Sequence, residues 1–331
     1  MKPFSLFITA LFVVLPPCLC SAQQTSTLAF AGSGYVVPPA AINAAPGQVL
    51  QVSVYGMRKL FPQPVLLSGL VADNKLPTTL NGVSVLFKRA GSSTQIPVPL
   101  FAIQQTNCTG SSVSPCSPIT SITLQVPYEL ALPPVGGGFA LPVASLVVTE
   151  DGVPTGEIAI KPMYDNVHVM NTCDQLITPS YGPAAGVSGC QPIVVHANAQ
   201  LVTSTNPAQI GEELVIALYG LGETSPPAVS GQCCRSPQIN LNTLQAFDLV
   251  FDFRPNVLGA RKRPSSLVGT PVFSGLPVIS IGGYQINFIV PSPPAGITIS
   301  ACDGQTVSSN LTVTVAGLNS YDAASICVQS R

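Results

Sequence analysis

Two stretches of the chain share one pattern of alternating apolar and polar residues. Residues 47–56 read GQVLQVSVYG, and residues 211–220, which lie 164 positions later, read GEELVIALYG. Apolar residues recur at every second position in both, which is the period of a β-strand with one buried face. Each stretch closes on Tyr-Gly, and a closing Gly suits a turn with positive φ. The pattern therefore predicts two equivalent strands.

Further segments match in the same order along the two halves. Four matches follow the first. Two have the same spacing of 164 residues: 79–87 with 243–251, and 122–127 with 286–291. The other two are 98–103 with 276–281, which are 178 apart, and 145–152 with 310–317, which are 165 apart. A longer loop at 253–275 in the second half and another at 107–118 in the first half account for the change in spacing and its return. Short strands at 157–160 and 324–328 end the two halves. Five matches in one order indicate an internal duplication.

The predicted fold class is all-β, with two tandem Ig-like antiparallel β-sandwiches after a signal peptide. Each half carries six or seven short apolar runs separated by Pro and Gly. The predicted segments are an N-terminal segment with an edge strand at 23–40, a first sandwich at 41–164, a disulfide-closed linker at 165–193, and a second sandwich at 194–331. The residues that define the repeat, and for which we predict structural roles, are Gly47, Tyr55, Gly56, Pro127, Gly211, Tyr219, Gly220 and Pro291.

Composition and the N-terminus indicate export. Charged residues make up 8% of the 331 residues, and the formal net charge of −1 gives no electrostatic case for nucleic acid. Residues 1–22 are typical of a secretory signal: Lys2, an apolar run at 4–15, and Cys20-Ser21-Ala22 before the cleavage point. That run is too short to span a bilayer, so we expect no transmembrane segment in the mature chain. The protein is expected to be secreted or at the cell surface, with the periplasm and a lipid anchor on Cys20 as alternatives.

Eight cysteines remain after residue 22, and an even number in an exported chain favours disulfides. Proximity favours three pairs, which leaves two adjacent cysteines for each other: the candidates are Cys108 with Cys116, Cys173 with Cys190, Cys302 with Cys327, and Cys233 with Cys234. Adjacent Cα atoms are only about 3.8 Å apart, below the usual disulfide range. Either a vicinal bridge forms or one of the local pairs differs. No Cys-x-x-Cys pair occurs, so no metal or other cofactor is predicted.

Catalytic chemistry finds little support in the residues. No Gly-x-Ser-x-Gly motif occurs. His168, between Val167 and Val169, is expected to point outward from a strand, and His196 is expected to be structural. The acidic doublets at 150–151 and 212–213 are expected in solvated turns, with a calcium site as a weaker alternative. No catalytic residue is predicted.

One basic cluster lies in the long loop of the second half. It consists of Arg254, Arg261, Lys262 and Arg263. The cluster is either a solvated loop tip or a contact for an anionic polymer or a partner protein. The sequence leaves both interpretations open.

Residues 194–222, VVHANAQLVTSTNPAQIGEELVIALYGLG, together with YQINFIVP and TVTVAG, resemble a secreted acidobacterial family of unknown function. The C-terminal domain of that family is related to the IPT/TIG branch of Ig-like domains. The resemblance covers about residues 194–320 and implies export and an Ig-like sandwich, without catalytic residues. The first half is similar to a diverged copy, with Thr123 where the second half has Asn287.

We therefore predict an exported, non-catalytic binding or surface-structural protein. Its partner would be an unknown protein or an extracellular polymer, with self-association as a further expectation. Two alternatives remain open: a secreted hydrolase with a site in the inter-domain loops, and a self-assembling spacer that pairs edge strands.

Overall fold

The structure is a computed structural model, and it describes residues 27–31, 34–36, 41–55, 57–61, 65–66, 75–105, 119–130, 132, 144–172, 174, 190–233, 241–243, 247–261, 267–277 and 280–329. The predicted all-β class is confirmed: these ranges contain no helix, and 49% of their residues are in strands. Accordingly, no helix capable of crossing a membrane is found in them.

The first half forms two sheets that enclose one apolar core. Its strands are β1 (Thr27–Ala31), β2 (Gly34–Val36), β3 (Ile42–Ala44), β4 (Val49–Tyr55), β5 (Val65–Leu66), β6 (Thr79–Leu80), β7 (Val83–Lys88), β8 (Gln95–Pro97), β9 (Leu100–Gln105), β10 (Ile119–Gln125), β11 (Ala144–Glu150) and β12 (Val153–Pro162). One sheet has the order β2-β1-β4-β10-β9-β5, and the other has β3-β12-β11-β7-β6 with β8 beside β7. Alternate residues of β4 and β7, among them Val52 and Val85, are fully buried in this core.

The second half repeats the arrangement around a core of its own. Its strands are β13 (His168–Val169), β14 (Val194–Val195), β15 (Ala208–Gln209), β16 (Glu213–Tyr219), β17 (Thr224–Ser225), β18 (Leu241–Thr243), β19 (Asp248–Asp252), β20 (Leu267–Gly269), β21 (Phe273–Leu276), β22 (Gly283–Ile289), β23 (Leu311–Ala316), β24 (Tyr321–Ile326) and β25 (Val328–Gln329). One sheet has the order β13-β16-β22-β21-β18-β17 with β14 also on β16, a second has β20-β19-β23-β24, and β15 pairs with β25.

The central strand pairs of the two halves have the same register. Val52 of β4 lies opposite Ile122, and Ile216 of β16 lies opposite Ile286, so both partners are shifted by 164 positions. The turns before these strands also match, since Gly47 N donates to Val126 O and Gly211 N donates to Val290 O. The predicted strands at 50–55 and 214–219 are confirmed, in equivalent surroundings.

One predicted match is wrong. The strand beside β10 is β9, in which Ala102 faces Thr123, whereas the strand beside β22 is β21, in which Phe273 faces Asn287. The true spacing is therefore 171, and the predicted counterpart at 276–281 begins where β21 ends. Both candidate segments combine apolar residues with a Pro, so the pattern is degenerate, and only the hydrogen-bond ladder distinguishes them.

The strand beside β16 is interrupted, and the first of its two parts lies within the range predicted as the linker. Val169 lies opposite Leu218 and Val194 lies opposite Ile216, the positions that β1 occupies on β4. The ends of β13 and β14 meet in a bonded neck, in which Ile193 N donates to Met170 O at 2.7 Å. Val167 and Val169 belong to the second core. The second sandwich therefore begins inside the range assigned to the linker.

Candidate functional site

The two sandwiches dock end to end, and buried polar groups make part of the contact. Gln125, at the end of β10, is 1% exposed, and its Oε1 accepts a hydrogen bond from Gly231 N at 2.7 Å. Tyr128 N donates to Ser230 Oγ at 2.9 Å, and that hydroxyl donates to Glu129 Oε2 at 2.6 Å. Because buried donors and acceptors are costly to leave unpaired, these bonds favour one relative placement of the sandwiches.

A pair of tyrosines extends this contact into the second core. The Tyr128 side chain packs against that core, and its hydroxyl lies 3.3 Å from the Tyr284 hydroxyl. Tyr284 is 1% exposed and donates to Gly222 O. Burial, followed by Tyr128 and then the charge of Glu223, raises the pKa of Tyr284 well above its ordinary value. The phenol therefore stays protonated and serves as a donor.

The inter-sandwich segment adds a second set of contacts. Asn166 Nδ2 donates to Asn43 O at 3.0 Å and to Gln48 Oε1 at 3.2 Å, and Asn166 N donates to Gly220 O at 2.9 Å. Gly220 has φ +77°, and a Cβ there would strike Asn166 O. The closing Gly of the repeat is thus required both by its conformation and by the close approach of this segment.

Next to this contact lies a buried histidine between two carboxylates. His168 Nε2 is 3.0 Å from Asp174 Oδ2, and Nδ1 is 3.3 Å from Asp322 Oδ2. The same carboxylates bind backbone, since Asn171 N donates to Asp174 Oδ2 and Val169 N donates to Asp322 Oδ2. We call His168, Asp174 and Asp322 the histidine clasp. It connects the neck of the insertion to β24 in the opposite sheet.

The clasp holds its histidine in the charged form. Burial by itself lowers the pKa of His168, but the hydrogen bond to Asp174 and the negative charges of Asp174 and Asp322 outweigh it and raise the pKa to about 9. The Tyr219 ring stacks on the imidazole with centroids 6.4 Å apart. Burial and the nearby Asp174 charge raise the pKa of Tyr219, so this phenol is neutral.

The expectation that His168 points outward is wrong. Its side chain is 6% exposed and that of Asp174 is 4% exposed, because the strand is covered by both the neck and β24. The carboxylates lie beside opposite ring nitrogens, of which only Nε2 has a hydrogen-bond partner, and no metal-holding group of His, Cys, Asp and Glu occurs among the described residues. The chemistry of the clasp is therefore that of an internal ion-pair network.

His196 has the structural role predicted for it. Its Nδ1 lies 2.5 Å from Glu212 Oε1, and its Nε2 lies 3.2 Å from Asn206 O. Glu212 Oε2 also accepts from Gln209 N, as Gln48 Oε1 accepts from Ala45 N in the first half. The two positions are 164 apart, so the side chain that closes this turn was kept while its charge changed.

The acidic doublets differ from the expectation of solvated turns. Glu150, the last residue of β11, is 6% exposed and accepts hydrogen bonds from the backbone N of Arg58 and of Lys59. Asp151 does lie in an exposed turn with positive φ, and its Oδ1 is 2.5 Å from Lys59 Nζ. Glu212 is held by His196 as described above, whereas Glu213 is exposed.

The basic cluster is not one free patch. Arg254 forms a bidentate pair with Asp252, with Nε–Oδ1 at 2.9 Å and Nη2–Oδ2 at 2.7 Å. Arg261 lies 5.7 Å above the centre of the Tyr321 ring. Lys262 and Arg263 lie outside the described residues. The intervening loop is anchored at one point, since Asn256 Oδ1 accepts from Ser308 N and Ser309 N, and Leu258 within it is 84% exposed.

Asp165 is a residue that the sequence reasoning missed. It is 1% exposed, and its carboxylate accepts from the backbone N of Leu318, Asn319 and Ser320. It thereby fixes the turn between β23 and β24 to the inter-sandwich segment. An isolated Asp in a polar run carries no pattern, and neither does Gln125 or Asp174.

The other repeat-defining residues keep structural positions. Gly47 and Gly211 have φ of +72° and +83°. Pro127 and Pro291 directly follow Val126 and Val290, which close the equivalent turns, and Tyr55 ends β4. Gly56 lies outside the described residues.

The cysteines follow the prediction in part. Cys302 and Cys327 form a disulfide with Cα atoms 6.0 Å apart. Cys190 is also disulfide-bonded. Cys233 is a buried free thiol, so its predicted bridge is wrong, in keeping with the poor geometry of a vicinal pair. Cys108, Cys116, Cys173 and Cys234 lie outside the described residues.

Compared with known proteins, the chain matches no family model and no curated protein sequence.

Proposed function

We propose that the chain is an exported, non-catalytic surface-structural or binding protein built from two Ig-like modules. The observation that carries this proposal is the docked contact between the modules. Gln125 and Tyr284 are both 1% exposed. Gln125 bonds to Gly231 N across the contact, and the Tyr284 hydroxyl lies beside that of Tyr128. A contact with such buried polar bonds favours a fixed two-module unit, which suits a spacer or a rigid binding platform.

The use of the ionisable side chains supports a non-catalytic role. His168 is enclosed by two carboxylates, and His196 is held by Glu212 and a backbone carbonyl. Asp165 and Glu150 bind backbone N–H groups. In each case the group that could act as acid or base stabilises a turn or a strand junction.

The bonded cysteines support export, together with the signal-like residues 1–22. Disulfides persist in oxidising compartments, and both Cys302–Cys327 and the bonded Cys190 fit that setting. The similarity to the secreted acidobacterial family leads to the same proposal.

The test is expression of residues 1–331 in a bacterium with an export pathway. We expect the protein in the envelope or the medium, with Gln23 as its first residue. Peptide mapping under non-reducing conditions should show Cys302 and Cys327 linked by a disulfide. Retention of an unprocessed, reduced chain in the cytoplasm would refute export. The non-catalytic role would be refuted if the protein turned over ester, peptide or glycoside substrates and both His168→Gln and His196→Gln abolished that activity.

A further inference from the structure

Asp174 reaches the histidine clasp from a tight turn in the neck. Asp174 N donates to Asn171 O at 3.1 Å, so residues 171–174 form a four-residue turn. This turn returns the Asp174 carboxylate to Asn171 N at 2.8 Å and to His168 Nε2 at 3.0 Å. Because Asp174 ends the turn, the position of its carboxylate depends on the bonds that hold the turn in place.

The other side of the neck is bonded to this turn. Thr172 N donates to Gln191 O at 2.8 Å, and Gln191 N donates to Thr172 Oγ1 at 3.1 Å. Cys190 directly precedes Gln191 in the sequence, and Cys173 directly follows Thr172. The hydrogen bonds thus join the immediate chain neighbours of two cysteines. Chain neighbours are about 3.8 Å apart, so the usual Cα separation of a disulfide, about 4.4–6.8 Å, is within reach of the two positions.

Cys190 is disulfide-bonded, and elimination narrows the choice of its partner. Cys302 and Cys327 bond to each other, and Cys233 is a free thiol. The cysteines after residue 22 that remain as partners are Cys108, Cys116, Cys173 and Cys234. Cys173 is favoured among them, because its chain neighbour Thr172 is hydrogen-bonded to a chain neighbour of Cys190.

We propose that Cys173 and Cys190 form a disulfide that positions Asp174, so that oxidation of the neck completes the histidine clasp. The two thiols give up two protons and two electrons, which a disulfide oxidant takes up as it is reduced to two thiols. The inference rests on the proposed export for that oxidant, since disulfides form in oxidising compartments and not in the cytoplasm. The clasp is thus a redox-dependent latch that gives the second sandwich its full stability after export.

The groups that face the imidazole make this linkage measurable. Asp174 faces it from the neck, Asp322 from β24, and the Tyr219 ring from β16. Tyr219 is neutral, so the two carboxylates are the charges that favour the protonated imidazole. Asp322 is placed independently of the neck, because Val169 N donates to its Oδ2 at 2.9 Å. Loss of the neck disulfide should therefore weaken the contribution of Asp174 and leave that of Asp322.

The first measurement maps the disulfides of oxidised residues 23–331 by mass spectrometry without reduction. We expect Cys190 to be linked to Cys173, and a link from Cys190 to any other cysteine would overturn the proposal. The second measurement follows the His168 imidazole by NMR as the pH is varied, with His168→Gln to assign its signal. Cys173→Ala/Cys190→Ala should increase the acid dissociation constant of His168 at least about tenfold, and an unchanged constant would overturn the proposal. The matched control is Cys302→Ala/Cys327→Ala, which removes a disulfide outside the neck and should leave the constant unchanged.

A reciprocal experiment tests the same coupling with every cysteine in place, so it holds even if the cysteine variant does not fold. If the disulfide favours the contact of Asp174 with His168, that contact favours the disulfide by the same factor. Asp174→Asn should therefore raise the equilibrium constant for reduction of the neck disulfide by dithiothreitol at least about tenfold. Asp151→Asn, at an exposed carboxylate of the first sandwich, is the control and should not change it. Equal constants for Asp174→Asn and wild type would contradict the proposal. Both experiments use purified oxidised protein, so their failure is distinguishable from a failure of export, which is measured by localisation.

Discussion

Replacing His168 by Gln should remove a pH-dependent part of the stability of the second sandwich. The pKa of His168 is raised from 6.5 to about 9 in the folded chain, because the carboxylates of Asp174 and Asp322 outweigh burial. Each unit corresponds to about 1.4 kcal/mol, so the charged histidine contributes roughly 3 kcal/mol to the free energy of unfolding. The raised value means that this contribution is fully present below pH 6.5 and is lost as the pH rises through 9.

Urea denaturation between pH 6 and 10, followed by circular dichroism on oxidised protein, measures the effect. We expect His168→Gln to lower the free energy of unfolding by about 3–5 kcal/mol at pH 6, because it leaves Asp174 as a buried, uncompensated charge. The difference from wild type should shrink by roughly 3 kcal/mol toward pH 10. The double variant His168→Gln/Asp174→Asn should recover part of the loss at pH 6, since two amides can share a hydrogen bond.

The matched control is His196→Gln, at the other histidine of the chain. Its free energy of unfolding is measured over the same pH range, so that the pH dependence of wild type and of His168→Gln is compared with a variant that leaves the clasp intact. If His168→Gln differs from wild type by the same free energy at every pH, the histidine is not charged in the clasp. The reasoning from Asp174 and Asp322 would then be refuted.

Three further predictions concern the turns, the disulfide and the docked contact. Gly211→Ala should lower the free energy of unfolding by about 1–2 kcal/mol through its positive φ alone, because no atom lies within 4 Å of the added Cβ. Gly47→Ala should lower it further, because the added Cβ strikes the Tyr128 ring. Equal losses of the two variants in urea denaturation would contradict this prediction. Removing the disulfide by Cys302→Ser/Cys327→Ser should cost about 3 kcal/mol for a sequence separation of 25, and unchanged melting of the oxidised variant would contradict it. Gln125→Ala should lower the free energy of unfolding by about 1–3 kcal/mol and increase proteolysis between the sandwiches, because Gly231 N loses its buried acceptor. The control is Gln104→Ala, at a partly exposed residue of β9, which should change neither the stability nor the proteolysis.

The strands were predictable because burial on one face imposes a period of two residues. The run at 50–55 and its copy at 214–219 follow that period, and their partners at 122–127 and 286–291 follow it as well. Where the period is degenerate, the prediction failed: residues 276–281 alternate as well as 270–276 do, and only the ladder selects the latter. The pattern was also insufficient at β13, a strand of two residues that is too short to display any period.

The candidate site was largely invisible in the sequence because it is made by long-range contacts between polar residues. His168 meets Asp322 across 154 positions, and Gln125 meets Gly231 across 106. A histidine between two valines has the same local sequence whether its strand is covered by other residues or exposed to solvent. What decides the difference is the presence of Asp174, in the neck, and of Asp322, on β24, beside the imidazole.

The two copies differ most at their ends, and the ends are therefore the part of the molecule to examine for its role. The central registers are unchanged over 164 positions, so packing has constrained the cores. At the ends, fully buried Gln48 corresponds to partly exposed Glu212 in the equivalent turn, and buried Gln125 corresponds to exposed Ile289. A face that is covered within the chain needs neutral, hydrogen-bonding groups, because a buried unpaired charge is costly.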